Sequence, residues 1–525
     1  MLSKADFMMA AVFFLLALGA SYFAADGRPL LGPDSAFAVH VGQNLASGEG
    51  LVHRVAGDSS IPKPQPMVTK PPLFATLIAA LTGMGVASKT AGWAIVYASF
   101  AFAAAMLYLI ARLALPVAIA ALVVVLFTAS APGLLWSITL HEEWLFIALS
   151  FASLLILSVL RERAQHSHNG WWALLGVVTG AALLASYQGF PLVLTVGAVL
   201  LFDGARNSRS WRHLGFYVLG LTAIGIYPLV RFANLWAAGV KPSFDLGGEP
   251  TWLAISAGLI HVLQNDFLGR LVVWLGSASP GHIAVLVASY VSLGLLLAAA
   301  ARHKALVPAS LYVAVYVLLL IFQLAGGGRG FLEPRVVVPV EALLLLVVTA
   351  VLWRLAENDR RLLRAGALAA GLLGVALYAN AQYHGFRKIA GDGSAARASR
   401  EYCPSPQTLA WVKGNIPPGA VILSTQCGYQ LLADASEYYW VAIPPADEYA
   451  SSPRFHERWG EADFLRVSVA TGAKWAVILL GERGDPLRQK PGYGAFVDRL
   501  LAGEAGTQRV RRVVKFSDGA VYSIE

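Results

Sequence analysis

The chain has 525 residues, of which 57% are hydrophobic and 14% are charged, and its net charge is +9. This charged fraction is roughly half of the soluble average, which is too low to cover the surface of a soluble protein of this length. Lys and Arg are scattered in short clusters between apolar runs, which argues against a nucleic-acid-binding face. The composition therefore predicts a polytopic membrane protein.

Apolar runs long enough to cross a bilayer, at roughly 17–25 residues each, predict about eleven helices. They lie near 7–25, 91–111, 115–134, 144–160, 171–186, 190–203, 214–232, 282–301, 305–324, 336–353 and 365–382. The first run has no small-x-small cleavage site before a mature start, so we expect it to be retained as a helix.

The basic residues predict the orientation of these spans. With the N-terminus in the cytoplasm, the short Arg-rich segments fall on the inner side, as the positive-inside rule requires. The long segments 26–90 and 233–281 and everything after about 383 then fall together on the outer side. We therefore expect a multi-pass protein of a bacterial inner membrane with a periplasmic or extracellular C-terminal region.

The C-terminal region, residues 391–525, is expected to be a soluble outer α/β domain, with residues 1–390 forming the transmembrane domain. The segments "AVILST", "WAVILLG" and "AVYSI" are typical of short strands, and the intervening sequence has helical spacing. Cys403 and Cys427 both lie in this region. An exported domain could join them as a disulfide, although the sequence does not set their distance.

The first outer loop begins with "PDSAFAVHVGQNLASGEGLV", in which Asp34 or Ser35 can cap a helix that lies on the membrane surface. The loop ends with "TKPPL", which places Lys70 next to an apolar run. A cation beside a hydrocarbon-compatible segment costs free energy unless it has a partner, a function or a route to water. Lys70 is therefore either a functional residue or a cation that reaches water.

The turn "SITLHEEWLF" places Glu142 and Glu143 at the start of a span, beside His141. One carboxylate would be enough to compensate the helix dipole. Two carboxylates with a histidine also suit acid–base chemistry or a divalent ion.

Two further segments place charges in or near apolar sequence. Glu333 and Arg335 flank Pro334 after the glycine-rich stretch "GGGRG", where the arginine could snorkel to water or line a binding site. Arg270 lies in the apolar but interrupted stretch 251–275, which is expected to be an interfacial or re-entrant helix rather than another span.

Several motifs in this order resemble the GT-C glycosyltransferases that use polyprenyl-phosphate-linked sugars, the superfamily of protein O-mannosyltransferases and lipid A aminoarabinose transferases. The resemblance covers roughly residues 1–360. The motifs are Asp34 after the first span, "NLASGEGLV", "KPPLFATLIA", "HEEW", "YQGF" and "EPRVVVPVEALLLL".

The resemblance implies a helical GT-C-like fold and inverting transfer of a hexosyl or pentosyl group to an acceptor hydroxyl at the outer membrane face. Asp34 would be the general base and Lys70 would contact the carrier phosphate. The acidic turn of the family corresponds to Glu142 or Glu143. The family commonly has Asp-Glu where this chain has Asp34-Ser35, and often Lys-Gly where this chain has Gln188-Gly189.

The remaining candidate residues fall into two groups. Arg335, Arg270 and Gln188 are candidates for contact with the donor phosphate. His141, Glu333 and His40 are candidates for lining the acceptor cavity. This interpretation requires no cofactor, although a divalent metal held by His141, Glu142 and Glu143 is an open alternative.

The expected partners are a polyprenyl-phosphate sugar, membrane lipids and an acceptor that could be lipid A, core oligosaccharide, another glycan or a protein. Aminoarabinose, mannose, galacturonic acid and arabinose are all compatible as the sugar. A multi-span transporter or flippase of an envelope lipid or solute is the main alternative, and a non-catalytic assembly protein is a second.

Overall fold

The structure is a computed structural model of the chain. It describes residues 2–25, 31, 33–56, 64–67, 70–163, 168–207, 209–237, 294, 297–299, 303–325, 334–358, 360–391, 406–424, 437–443, 459–479, 491–503 and 509–525. Two predicted elements lie outside the described residues: most of the span 282–301 and the helix at 251–275. The same is true of four residues singled out above, namely Arg270, Glu333, Cys403 and Cys427. The side chains of Asp34 and Arg335 also lie outside the described part, while their backbone is described.

The described part of residues 1–391 is helical. The helices are α1 (Lys4–Ala25), α2 (Pro33–Ala46), α3 (Leu73–Gly83), α4 (Ser88–Arg112), α5 (Val117–Thr128), α6 (Ala131–Ser137), α7 (Glu143–Glu162), α8 (Asn169–Ala185), α9 (Phe190–Arg206), α10 (Arg209–Ala237), α11 (Val307–Ala325), α12 (Pro334–Ala356) and α13 (Arg361–Gly391). Single 3₁₀ turns, Tyr187–Gly189 and Lys304–Leu306, precede α9 and α11.

Among the described residues, six helical segments are long and apolar enough to cross a membrane. They coincide with the predicted spans near 7–25, 91–111, 144–160, 190–203, 336–353 and 365–382. The predicted spans near 171–186, 214–232 and 305–324 coincide with α8, α10 and α11. The polytopic helical membrane protein is thus confirmed, while the total of eleven spans stays a prediction.

The predicted span 115–134 is divided in the structure into α5 and α6. Ser130 ends the continuity because its backbone is extended and its Oγ accepts a hydrogen bond from the N–H of Gly133 at 3.0 Å. Such a side-chain cap satisfies an N–H group that the first turn of a helix leaves open. Hydropathy predicted one continuous span because both segments are apolar.

Helices α8 and α10 pack at unusually close range. A Cβ added to Gly176 of α8 would collide with the backbone oxygen of Tyr217, and one added to Gly220 of α10 would collide with the backbone oxygen of Ala173. Small residues let helix backbones approach where lipid gives no hydrophobic drive for association. The glycines therefore allow this helix pair to form.

The first loop folds against the bundle through α2, which packs on α3. A Cβ at Gly42 of α2 would lie 2.7 Å from Cγ2 of Ile78 of α3, so this crossing also needs a glycine. Val41, Met67 and Ala75 form a small buried cluster between the two helices. The segment that carries Asp34 is thereby fixed beside the helix that follows Lys70.

The C-terminal region alternates strands and helices, as the sequence predicts. Its elements are α14 (Pro406–Asn415), β4 (Val421–Ser424), β5 (Tyr439–Ala442), α15 (Glu461–Thr471), β6 (Trp475–Leu479), α16 (Pro491–Ala502), β7 (Val510–Lys515) and β8 (Gly519–Ile524). The loop before α3 adds β1 (Val52–His53), β2 (Val55–Ala56) and β3 (Gln65–Pro66). β1 pairs with β3 antiparallel.

The larger sheet has the order β2-β5-β4-β6-β8-β7. The first four strands are parallel, and β8 and β7 are antiparallel additions. Strand β2 therefore comes from the first loop, and the N–H of Trp440 donates to the carbonyl of Arg54 at 3.0 Å. The first loop and the C-terminal region share one sheet, which the sequence analysis did not predict.

Candidate active site

Lys70 follows the first loop and lies three residues before α3. Its Nζ is 3.1 Å from Oε1 of Glu142, and the two side chains are 20% and 13% exposed. The two residues are 72 positions apart in sequence. Removing both charges from water would be costly if they did not neutralise each other. The pair therefore joins two loops that the sequence analysis singled out separately.

Glu142 occupies the cap position of α7, where the sequence left dipole compensation as the simple explanation. Its side chain makes no capping hydrogen bond to the helix. Oε1 accepts from Lys70 instead, and Oε2 is buried and accepts no hydrogen bond from a described residue. A buried carboxylate oxygen without a donor is costly, so helix capping does not account for this residue.

His141 and Glu143 lie next to this pair. Nδ1 of His141 is 3.7 Å from Oε2 of Glu143, and the side chains are 4% and 10% exposed. The His141 ring meets Trp136 edge-on at a centroid distance of 5.5 Å. One ligand atom from each of His141, Glu142 and Glu143 lies within 4.8 Å of the others. The spacing suits a shared proton or a divalent cation.

Gln188 is held by a residue that the sequence analysis missed. The hydroxyl of Tyr316, on α11, donates to Oε1 of Gln188 at 2.9 Å. Tyr316 is 1% exposed and is close enough to Glu143 to interact with it electrostatically. The sequence signal was weak because Tyr312 and Tyr316 resemble core aromatic residues of any apolar helix.

Asp34 and Arg335 can be placed by their backbone. Asp34 lies in the first turn of α2, and Arg335 lies in the first turn of α12. Helix α12 ends beside the start of α11, where Lys304 contacts the last turn of α7. Its first turn is therefore at the opposite end of the bundle, the end at which α7 begins with Glu143 and the Lys70–Glu142 pair lies.

His40 lies at the junction of the first loop with the sheet. Its Nε2 accepts the backbone N–H of Arg54 at 3.0 Å and lies 3.2 Å from Nδ2 of Asn44. Asn44 in turn donates to the carbonyl of Val52 at 2.9 Å. Burial lowers the pKa of His40 to about 3, with smaller contributions from His53 and Arg54. The neutral ring thus attaches the strands of the loop to α2.

Comparison with protein families gives a match over residues 69–230 to the family described as dolichyl-phosphate-mannose-protein mannosyltransferase. The match includes Lys70, the turn with Glu142 and Glu143, and Gln188, but not Asp34 or Arg335. Comparison with curated proteins finds no match.

Comparison with solved structures finds proteins whose fold is similar over nearly the whole chain, at low sequence identity. ArnT from Cupriavidus metallidurans, bound to undecaprenyl phosphate, is 16% identical, with a TM-score of 0.56 over 98% of this chain and 97% of that one. Its apo form gives a TM-score of 0.53 at 16% identity, over 99% and 98%.

A third structure is the oligosaccharyltransferase AglB from Archaeoglobus fulgidus, in complex with an inhibitory peptide and a dolichol-phosphate. It is 12% identical with a TM-score of 0.50, over 91% of this chain and 70% of that one. Together with the family match, these structures confirm the GT-C-like fold that the sequence motifs implied.

Proposed function

We propose that the protein is a GT-C-type glycosyltransferase that transfers a sugar from a polyprenyl-phosphate carrier to an acceptor hydroxyl. The transfer takes place with inversion at the outer face of a bacterial inner membrane, and the acceptor is a cell-envelope glycan, lipid or protein. The family match supports this proposal, as do the undecaprenyl phosphate and dolichol-phosphate bound to the two similar enzymes.

The observation that carries the proposal is the Lys70–Glu142 pair, partly buried where the first loop meets the start of α7. An ammonium in such a site can neutralise a phosphate that departs with the bonding electrons. Its interaction strengthens as charge develops on the leaving oxygen, which is the condition for accelerating the reaction. Lys70 exchanges part of its contact with Glu142 for the donor phosphate in this mechanism.

Asp34 is the proposed general base. The acceptor oxygen attacks the anomeric carbon from the face opposite the phosphate, the bond from carbon to phosphate oxygen breaks, and the hydroxyl proton passes to the Asp34 carboxylate. A single displacement inverts the anomeric centre. The family pattern has a second carboxylate after this aspartate, but this chain has Ser35 there, so Asp34 acts without it.

Gln188 and the arginines are the proposed supporting contacts to the donor phosphate. Tyr316 donates to the amide oxygen of Gln188, which leaves the amide nitrogen as the donor. A neutral amide here supplies a hydrogen bond where many relatives have a lysine. Arg335 and Arg270 would add the positive charge that Gln188 lacks.

A divalent cation fits the cluster of His141, Glu142 and Glu143. Two carboxylates and an imidazole with mutually close ligand atoms form a mixed N,O donor set that suits Zn²⁺ or Mn²⁺ better than Ca²⁺. The buried Oε2 of Glu142, which accepts no hydrogen bond from a described residue, is consistent with a ligand role. A cation here would supply further neutralisation of the leaving phosphate.

The test is transfer by the purified full chain from a panel of polyprenyl-phosphate sugars, with the product identified by mass spectrometry. We expect one donor to give a glycosylated acceptor, and Asp34→Asn to abolish transfer while donor binding is retained. Lys413→Ala, which changes an exposed residue of α14, is the control. If none of the donors supported sugar transfer, the proposed function would be contradicted. Full activity of Asp34→Asn would contradict the role of Asp34 as general base.

A further inference from the structure

A cavity of about 150 Å³ lies at the end of the bundle that carries Lys304 and the last turns of α4, α7 and α12. We call this the arginine-rich end, because Arg112, Arg161 and Arg354 lie there. The apolar wall of the cavity includes Ala114, Leu306, Ala350 and Leu355, and its basic lining consists of His303 and Arg354.

The cavity is separate from the candidate active site. The last turn of α7 contacts the cavity end, since Ser158 Oγ donates to the carbonyl of Ala305 at 3.2 Å and Arg161 Nη1 to that of Lys304 at 3.4 Å. The first turn of the same helix carries Glu143. A 20-residue helix is about 30 Å long, so the two sites lie at opposite ends of the bundle.

The basic residues of the cavity have unused capacity to bind an anion. Arg354 is exposed and forms no ion pair with a described residue. Nδ1 of His303 is buried and forms no hydrogen bond within the described part of the chain. A buried polar atom of this kind costs free energy unless something binds it.

Charges of both signs lie near His303, and the positive charge of Arg354 affects it more than the negative charge of Glu162. Burial and the neighbouring Arg354 lower the pKa of His303, and Glu162 opposes them with a smaller effect. Of the other acidic groups described at this end, Asp6 pairs with Arg112 at 2.7 Å, Asp203 pairs with Arg161 at 2.8 Å, and Glu357 accepts a hydrogen bond from Trp353 Nε1 at 2.8 Å. Lys304 adds a further positive charge next to the cavity. The region therefore attracts an anion.

We propose that this cavity binds the phosphate headgroup of an anionic membrane lipid. The guanidinium of Arg354 and the imidazole of His303 contact the phosphate oxygens, while Leu306, Ala350 and Leu355 contact the apolar part of the lipid. Arginine forms short, charge-assisted hydrogen bonds with phosphate. Basic pockets between transmembrane helices on the cytoplasmic side are typical sites for anionic lipid headgroups.

The cavity chemistry would also accept free phosphate, so the experiment must separate the two sources. Purified full-length protein in detergent is mixed with dioleoyl phosphatidylglycerol, dioleoyl phosphatidylcholine or inorganic phosphate. Native mass spectrometry then measures the bound species. We expect one phosphatidylglycerol per chain to survive activation that removes phosphatidylcholine.

Three variants locate the binding. Arg354→Gln should weaken retention of phosphatidylglycerol by about tenfold, as expected for loss of a hydrogen bond to a charged group. Val351→Trp should weaken it too, because it fills the cavity and keeps the charge of Arg354. Arg364→Gln, an exposed arginine in the first turn of α13, should leave retention unchanged.

Several results would overturn the proposal. They are equal retention of phosphatidylcholine, displacement of the lipid by millimolar inorganic phosphate, and wild-type retention by Arg354→Gln or Val351→Trp. Thermal unfolding of each variant shows whether it is folded. If Arg354→Gln does not fold, Val351→Trp and the lipid comparison on the wild-type protein still decide the question.

Discussion

The two ends of the helical bundle differ in how their partly buried charges are paired. At the arginine-rich end, Arg112 pairs with Asp6 at 2.7 Å, and Arg161 contacts both oxygens of Asp203 at 2.8 and 3.1 Å. Each pair joins two helices and balances its own charge. At the other end, Glu142 and Glu143 lie close together.

The cluster around Lys70 has more acidic groups than one lysine can neutralise. Glu142 keeps a buried oxygen without a described donor. By contrast, Arg161 donates to both oxygens of Asp203, and the two oxygens of Asp6 accept from Arg112 and from Ser3. Well-satisfied pairs serve assembly, and a protein that retains a costly, incompletely satisfied cluster usually does so at a functional site. This difference supports our proposal that the Lys70 cluster binds the donor, whereas the arginine pairs hold helices together.

The largest expected effect comes from removing the cation of the Lys70 cluster. Lys70→Met should lower the transfer rate by about 100-fold or more, the size seen when a preorganised contact to developing charge is lost. The measurement is the initial rate with a saturating polyprenyl-phosphate sugar. An unchanged rate and donor affinity would exclude Lys70 from the site.

A double variant separates the rate effect from stability. Lys70→Met leaves Glu142 without its cation, which should cost about 1–2 kcal/mol because the pair is partly exposed. Lys70→Met with Glu142→Gln should recover this stability and remain inactive. If the double variant regained activity, the charges would have a structural role only.

For an arginine pair we expect the opposite result, a loss of stability without a loss of transfer rate. Arg161→Met should lower the stability by about 1–2 kcal/mol through loss of the pair with Asp203, and leave the rate per folded molecule unchanged. Unfolding in detergent and the specific transfer rate are measured on the same sample. A lower rate at unchanged stability would show that this end participates in the reaction.

A smaller effect is expected at Tyr316. Tyr316→Phe removes the hydroxyl that donates to Gln188, and a neutral hydrogen bond of about 1 kcal/mol corresponds to about fivefold in rate. The donor KM should change more than kcat if Gln188 binds the ground-state phosphate. Tyr312→Phe is the matched control, because it removes an equally buried hydroxyl one turn earlier on α11. Equal effects of the two substitutions would indicate packing rather than positioning.

Hydropathy was sufficient to predict most of the helices, because bilayer-length apolar runs have few alternative structures. It failed at 115–134, where the capping hydroxyl of Ser130 divides an apolar run. The strands β4, β6 and β8 were predictable from their short apolar pattern. Strand β2 was not, because only two residues form it and its partner β5 lies almost 400 residues later in the chain.

The sequence predicted which residues belong to the candidate site, but not which of them are in contact with each other. The sequence singled out Lys70 and Glu142 because each charge lies beside apolar sequence, but their pairing depends on how α3 and α7 pack. Tyr316 was missed because its role depends on Gln188, which lies 128 residues away. His40 in the acceptor cavity stays a prediction; its described hydrogen-bonding contacts are with Asn44 of α2 and with the backbone of Arg54, between β1 and β2.

These contacts of His40 give the smallest effect at neutral pH and a distinct pH dependence. The folded-state pKa of about 3 lies below the unfolded value of about 6.5. The stabilisation from the neutral ring is therefore complete above about pH 6.5 and is lost as the pH falls toward 3, by up to about 1.4 kcal/mol per pH unit. Strand β2 should detach from β5 as His40 takes up a proton and ceases to accept the N–H of Arg54.

Hydrogen–deuterium exchange of residues 437–443, corrected for the intrinsic effect of pH, measures this detachment, because the N–H of Trp440 donates to the Arg54 carbonyl. His40→Gln offers an amide oxygen as acceptor and does not titrate, so its protection should stay constant from pH 7 to 5. The wild-type protein should lose protection over the same range, and this loss reports on His40 because His53 and Arg54 are present in both proteins. An identical pH dependence in the two proteins would mean that another group controls the junction. The first loop would then be held to the sheet mainly by the packing of Phe37 against the buried cluster that includes Tyr438 and Trp440.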